Sequence, residues 1–489
     1  MTLLVGVLTT ALLPAGPVHA SPRPGAGVVV HPLDGVWRMD GYGTVLGIAG
    51  GRLTEYETSR AGWLPGATAL RTEGGERGGA VYTGEQNDTV YRLHAPGPGP
   101  HKGPVRHAAL RIDGSTGERG LRRVAALPRA CTRPAPSGPV AVFDTFWATF
   151  AENYPFFAAK GIDWQAVRDR YRPRVHRDTT DAELAALLSA MIEPLHDGHV
   201  RLDDGTGHGY AWIRPGTTMP GPELDQRTIA LVEEHGLGGR SLTRYARGRI
   251  TYADLPATGQ PVSSRDSASH LGYLRISGFA GYTQRNDFAA NAAELERTLD
   301  ALLTPERTAR LDGLIIDLRV NGGGSDALAL RLASRLTDRP YVGYAKQARN
   351  DPDHPDRFSP AQRITVKPAT GTVYTGPIAV LAGGSTFSAG EGFVQALMER
   401  PGGVLRIGEH TQGVFSDVLE RRLPNGWSFG LPNEVFRTRT GRTFDGAGIP
   451  PQLREPVFTE EEFAQRKDSA FDRAVTALRG DRDIRSGRG

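Results

Sequence analysis

Ser388 stands between an apolar stretch ending in a run of small residues, PIAVLAGGSTF, and an amphipathic segment, SAGEGFVQALMER. A hydroxyl there has two uses. With Glu391 three residues on, it has the spacing of a capping box, in which the serine covers an amide and the carboxylate reaches back. It could instead be a nucleophile, which needs a base and a set of amides for an oxyanion. A second segment has the same strand–loop–helix form: IIDLRVNGGGSDALAL, with Gly322, Gly323 and Gly324 in its loop. It departs from G-x-G-x-x-G at Ala327 and lacks the Gly-Lys-Ser/Thr of a phosphate loop. Neither segment contains the G-x-S-x-G nucleophile elbow. The simplest reading of the glycines is a turn; the other is a helix start whose free amides, paired with those behind Ser388, form an anion site.

A base is offered by EPLHDGHVRL, where His196, Asp197 and His199 follow a helical stretch. Here too the residues leave alternatives open. They fit a surface turn with two incidental histidines, a metal site without a third ligand at suitable spacing, or a general base.

The elements that must position these residues can be read from periodicity. Residues 31–131 alternate in short runs separated by Gly and Asn turns, which predicts a small β-rich domain, a barrel or sandwich. Its APGPGPHKGP segment reads as a surface loop, and TRPAPSGP as a linker. Residues 140–202 read as a helical subdomain with Phe143, Phe146 and Phe150 on one core-facing stripe. Thr180 or Asp181 is the expected cap of its last helix. Residues 203–270 form an irregular connecting segment with one short helix. From 271 to 478 continuous apolar strands alternate with helices, the pattern of a buried parallel sheet, in which loops at the carboxyl edge of the strands hold ligands. A single last helix is expected in TEEEFAQRKDSAFDRAVTALRG, and a disordered tail over 479–489.

Composition narrows the function classes. With 58 basic and 54 acidic residues the 489-residue chain is nearly balanced, and no basic run with interleaved aromatics suggests a nucleic-acid partner. Residues 1–20 read as a signal peptide ending at Val18-His19-Ala20, which predicts a secreted or extracytoplasmic protein with no integral membrane segment in its mature chain. Cys131 is the sole cysteine, so no internal disulfide can form.

Four segments in this order, LHDGHVRL, IIDLRVNGGGS, STFSAGEGF and FDGAGIPP, resemble the C-terminal-processing (tail-specific) serine peptidases. The similarity is to the branch of the tricorn protease core and the interphotoreceptor retinoid-binding proteins, and it runs from about Phe143 to the final helix. The resemblance implies a crotonase-like (ClpP/crotonase) α/β core. It implies Ser388 as nucleophile, His199 as base and Asp445, where the family usually has Glu, as the residue orienting the base. It implies oxyanion amides from Ala389 and from Gly323 or Gly324, a peptide or protein substrate, and neither cofactor nor metal. Ser385 or Thr386 would then cap the helix. Two departures matter. Val414 occupies the lysine position of the Ser/Lys-dyad branch, which favours a His-based relay, and Gly198 replaces the serine beside the tricorn histidine. No PDZ pattern is evident in 203–270. The alternatives are a non-catalytic protein of the same fold binding a peptide or an apolar ligand, and an acyl-CoA enzyme of crotonase type.

Overall fold

The computed structural model describes residues 31–75, 78–95, 105–207, 209–255, 270–349, 351 and 353–486. The leader expected at 1–20 and nearly all of the APGPGPHKGP loop lie outside them. Eight antiparallel strands close into a barrel: β1 (Gly35–Met39), β2 (Thr44–Ala49), β3 (Arg52–Ser59), β4 (Gly62–Gly74), β5 (Ala80–Gly84), β6 (Val90–His94), β7 (His107–Ile112) and β8 (Arg119–Val124). Closure leaves no unpaired edge. Trp37, Leu46, Tyr82 and Leu110 fill the interior.

Helices α1 (Gly138–Asn153), α2 (Trp164–Tyr171) and α3 (Asp181–Ile192) follow. The Phe143, Phe146 and Phe150 stripe of α1 is buried. It shares one hydrophobic core with the barrel. Thr180 caps α3 in a reciprocal capping box with Glu183.

Residues 203–255 hold more regular structure than the single expected helix. Strands β9 (Arg201–Asp203) and β10 (Gly209–Ala211), helix α4 (Pro222–Leu231), and strands β11 (Thr243–Tyr245) and β12 (Ile250–Leu255) lie there. β12 pairs antiparallel with β13 (His270–Ile276), so the core sheet begins well before 271. Helices α5 (Phe288–Leu302) and α6 (Pro305–Arg310) lead to β14 (Leu311–Asp317) and β15 (Val320–Asn321), then α7 (Asp326–Ser334). Next come β16 (Tyr341–Ala348), β17 (Gln362–Val366), β18 (Ile378–Ala382), β19 (Ser385–Thr386) and α8 (Ala389–Met398). The chain closes with β20 (Leu405–Gly408), β21 (Val418–Arg422), β22 (Ser428–Pro432), β23 (Glu434–Arg437), β24 (Leu453–Arg454), α9 (Glu460–Gln465) and α10 (Ser469–Ser486).

The central sheet has the order β11-β12-β13-β14-β18-β20-β24. From β13 onward it is parallel. The strands Ile315-Ile316 and Ala379–Leu381 are buried on both faces, as such a sheet requires. Among the described residues no helix is long and apolar enough to cross a membrane.

The last helix is split where one was expected. Arg466 turns left-handed at φ 52°, and Asp468 accepts the Phe471 amide at 3.0 Å, starting α10 afresh. The same carboxylate pairs with fully buried Arg319, which also holds Asp317 at the end of β14. These buried charges are tolerable because each is paired. They anchor the strand end from which the glycine loop departs. Helix α10 also runs through Ser486, into the segment expected to be disordered.

Candidate active site

β14–β15–α7 and β18–β19–α8 place their loops side by side at the carboxyl edge of the sheet. The short strands β15 and β19 pair in parallel, Val320 with Ser385 and Asn321 with Thr386. The Phe387 amide continues the contact by donating to the Asn321 carbonyl. This pairing registers the glycine loop against Ser388.

Ser388 is the residue before α8 and has φ 54°, ψ −122°. A non-glycine residue in that region costs on the order of 1–3 kcal/mol. Its half-buried hydroxyl makes no capping bond. A strained strand-to-helix turn that presents an uncapped serine is the backbone form of a nucleophile elbow, reached here without G-x-S-x-G. Ser385 and Thr386 do not cap the helix as expected. Ser385 donates to the Thr218 carbonyl, and Thr386 donates to the Leu318 carbonyl. Both hydroxyls brace the strand ends instead. The helix start is left open.

Gly323 packs directly on Ser388: with φ +75°, a Cβ there would stand 2.6 Å from the serine Cβ. Only glycine fits. The peptide geometry then separates the two candidate oxyanion donors on this loop. The Gly323 amide donates to Asn321 Oδ1 at 2.9 Å and is spent. The Gly323 carbonyl accepts from Phe279. The Gly324 N–H, on the far side of that trans peptide, therefore points away from the Phe279 amide. Likewise the Ser388 carbonyl accepts from Glu391 and Gly392 inside α8, so the Ala389 N–H points out of the helix start. Gly324 and Ala389 are thus the available pair. Asn321, not singled out in the sequence, is the organiser. Its amide donates to the Ile276 carbonyl, and its Oδ1 passes so close to Gly390 that a Cβ there would meet it at 2.5 Å.

Glu391 does not close a capping box. It is buried and accepts from Thr411 Oγ1, Gly413 N and Val414 N. Burial pushes its carboxyl up to about 8, against the pull of those three donors. It ties α8 to the segment in which Val414 replaces the dyad lysine. The buried Lys346 is not a substitute base: it pairs with Glu434 and Asp417, which hold its ammonium well above the usual lysine range despite burial.

His199 is buried at 4% exposure. Its ring stands edge-on to Phe387, the neighbour of Ser388, with centroids 5.1 Å apart. Nδ1 is buried and has no hydrogen-bond partner. Burial pushes the imidazole down to about 4, so it is neutral and able to take a proton, although Asp197 and Asp417 pull the other way. Asp197 holds the turn: its Oδ1 accepts the His199 amide at 3.1 Å and its Oδ2 accepts from Tyr154 at 2.8 Å. His196 occupies the left-handed position of that turn at φ 44°. Gly198 has a reason to be glycine, because a Cβ there would lie 2.6 Å from the Phe387 ring.

The structure does not bring Asp445 to His199. The Asp445 carboxylate accepts from Thr443 Oγ1 and from the Phe415 amide, and burial pushes it up to about 7, with nearby Asp197 raising it further. The short aspartate is held by its own turn, and Asp197 with Tyr154 holds the backbone turn that carries His199. Asp197 was visible within DGH; nothing local in the sequence marked Tyr154 or Phe387.

A half-buried serine packed on a glycine loop, with a buried histidine ring against the residue before it, is an arrangement acyl-transfer chemistry can use, and the sequence comparisons point to peptidases. Residues 270–454 match Peptidase family S41, and residues 141–193 match the tricorn protease C1 domain. The resemblance to the tail-specific peptidases of the tricorn branch is borne out over these residues. The candidate tricorn protease homolog 2 of Streptomyces coelicolor is 23% identical over 370 residues, covering 64% of this chain and 30% of that protein. The chain therefore spans under a third of the length of that relative. Among solved structures, a candidate peptidase from Parabacteroides merdae ATCC 43184 superposes with a TM-score of 0.57 at 25% identity, covering 70% of this chain and 97% of that one. Mature CPAF superposes with a TM-score of 0.50 at 13% identity over 72% and 98% of the two chains. The second likeness is one of fold alone.

Proposed function

We propose that this protein is a secreted serine peptidase on a crotonase-like core, working through a histidine-assisted acyl-enzyme rather than a Ser/Lys dyad. Ser388 attacks the peptide carbonyl, and His199 takes its proton and returns it to the leaving amine. The amides of Gly324 and Ala389 hold the oxyanion at the positive end of α8. Asp197, held by Tyr154, fixes the histidine turn, and Asp445 stands behind Asp197. The observation that carries this reading is the strained, uncapped Ser388 packed against Gly323. Strain of that kind is retained where a function needs the geometry.

A fluorophosphonate probe tests it. The wild-type chain should label and hydrolyse peptides, whereas Ser388→Ala should do neither, with a loss of ~10³-fold or more in kcat/KM. The same labelling transferred to Ser385 would refute the assignment. A protein that binds peptides but never labels would favour the non-catalytic reading. Secretion is tested by the amino terminus of the protein recovered from culture medium: one beginning just after Ala20 is expected.

A further inference from the structure

Beyond the reacting groups, the glycine loop opens onto a cleft of about 950 Å³ between α4, the turn before β12 and the segment after β13. Its lining includes Val320, Gly322 and Pro220. Gly322 is two residues from Gly324, a distance of at most ~7 Å along the chain. A peptide held at Ser388 would thus send its flanking residues into this cleft within a few positions of the scissile bond.

The cleft is lined by Arg244, Arg247 and Arg249, all exposed. Arg244 lies in β11, and Arg247 and Arg249 lie in and just after the turn that follows, where Ala246, Arg247 and Gly248 all have positive φ. Two carboxylates share the lining. Asp225 is neutralised by buried Arg275. Glu233 accepts the Leu242 amide and stands alone against the three guanidinium groups. Arg247 donates to the Thr283 carbonyl. Among the described residues none of the three arginines has an ion-pair partner, whereas buried Arg275 at the same cleft is paired with Asp225. Three guanidinium groups with free donors in a cleft that adjoins the glycine loop form a carboxylate-recognition surface.

Building on the peptidase reading, we propose that this cleft is an anionic-residue subsite: it selects peptides carrying an aspartate or glutamate within a few residues of the cleaved bond.

The test uses peptides matched in every position except one, which is Glu or Gln, scanned over four residues on either side of the bond. Affinity is read by fluorescence anisotropy on Ser388→Ala, and kcat/KM on the wild type. In at least one register the Glu peptide should bind about tenfold more tightly at low ionic strength, as expected for two partly exposed charge pairs. That preference should shrink as salt is raised. In Arg244→Gln/Arg249→Gln the Glu-to-Gln ratio should collapse toward unity, and in Arg249→Glu it should invert in favour of a Lys peptide. These side chains are exposed, and circular dichroism checks that the variants fold. Equal binding of Glu and Gln peptides in all registers overturns the proposal, as does a preference unmoved by the arginine substitutions. Because affinity is read on the inactive variant, absent turnover with intact Glu preference would sink the peptidase reading and leave the subsite standing.

Discussion

In the proposed mechanism His199 sets a pH profile unusual for a histidine base. The ring is buried against Phe387 and pushed down to about 4 from an ordinary 6.5. A base must be deprotonated to act, so activity is present above its pKa and lost as pH falls through it. At about pH 5.5 an imidazole of pKa 4 is about 3% protonated, and an unperturbed one about 90%. The wild-type enzyme should therefore keep nearly all of its kcat/KM at that pH, where an ordinary histidine would retain about a tenth. Phe387→Ala opens the covering face, returns the ring toward water and moves the acid limb up, so activity near pH 5.5 should drop several-fold relative to pH 8. The assay is kcat/KM on one peptide from about pH 3.5 to 9. His199→Ala controls for other titrating groups, and circular dichroism at each pH checks folding. A wild-type limb centred at 6.5 or above would refute the argument that burial governs this histidine. A limb unchanged in His199→Ala would remove the residue from the mechanism.

Asp445→Asn should leave that acid limb in place, because no hydrogen bond joins Asp445 to His199; a shift of a full pH unit would restore it as the orienting residue. Its folded carboxyl is raised to about 7, so it costs stability as pH climbs from the ordinary carboxylate range through 7. The asparagine variant should be more stable than wild type at pH 8, by ~2 kcal/mol after allowing for its half-buried position, and little changed at pH 4, read by urea melts. Val414→Lys should lower stability without raising the rate, since Val414 is buried and its amide serves Glu391; a clear rate gain would revive the dyad. Gly198→Ala should cost ~1–3 kcal/mol by driving into Phe387. Adding Phe387→Leu should recover part of that loss, and additive melts would show that the two sites are not in contact.

Local patterns made the outline of this protein legible. The alternating runs of 31–131 announced a β domain and the apolar strands after 271 a parallel sheet, because period and burial act within a few residues. The paired strand–loop–helix units put Ser388 and the glycine loop at one edge by topology alone. What the sequence could not reveal depends on contacts across the fold. Ser388 reads as a helix cap until its φ is known. Gly323 and Gly324 are equivalent by type and differ only in what their amides already bond. Asp445 matches a motif position, yet Thr443 and Phe415 hold it away, while Asp197 takes hold of the histidine turn through Tyr154, 43 positions earlier in the chain. β12 went unseen because a Pro-, Gly- and Ser-rich stretch separates it from β13, to whose pairing it owes its place.

Ser325, which follows the glycine loop and caps α7 through the Leu328 amide, also donates to the Gly114 carbonyl of the barrel at 2.7 Å. Nearby, barrel Tyr42 reaches Glu434, the partner of buried Lys346. The barrel is therefore no detachable module in the engineering sense. Cutting the chain after β8 would leave the loop that carries Gly324 without an outer brace and would open a sealed ionic cluster to water. A shortened version made for crystallisation or for a sensor would inherit a slack glycine loop. A ligand that prised the barrel from Tyr344 and Gln362 would loosen the same brace without touching the glycine loop itself.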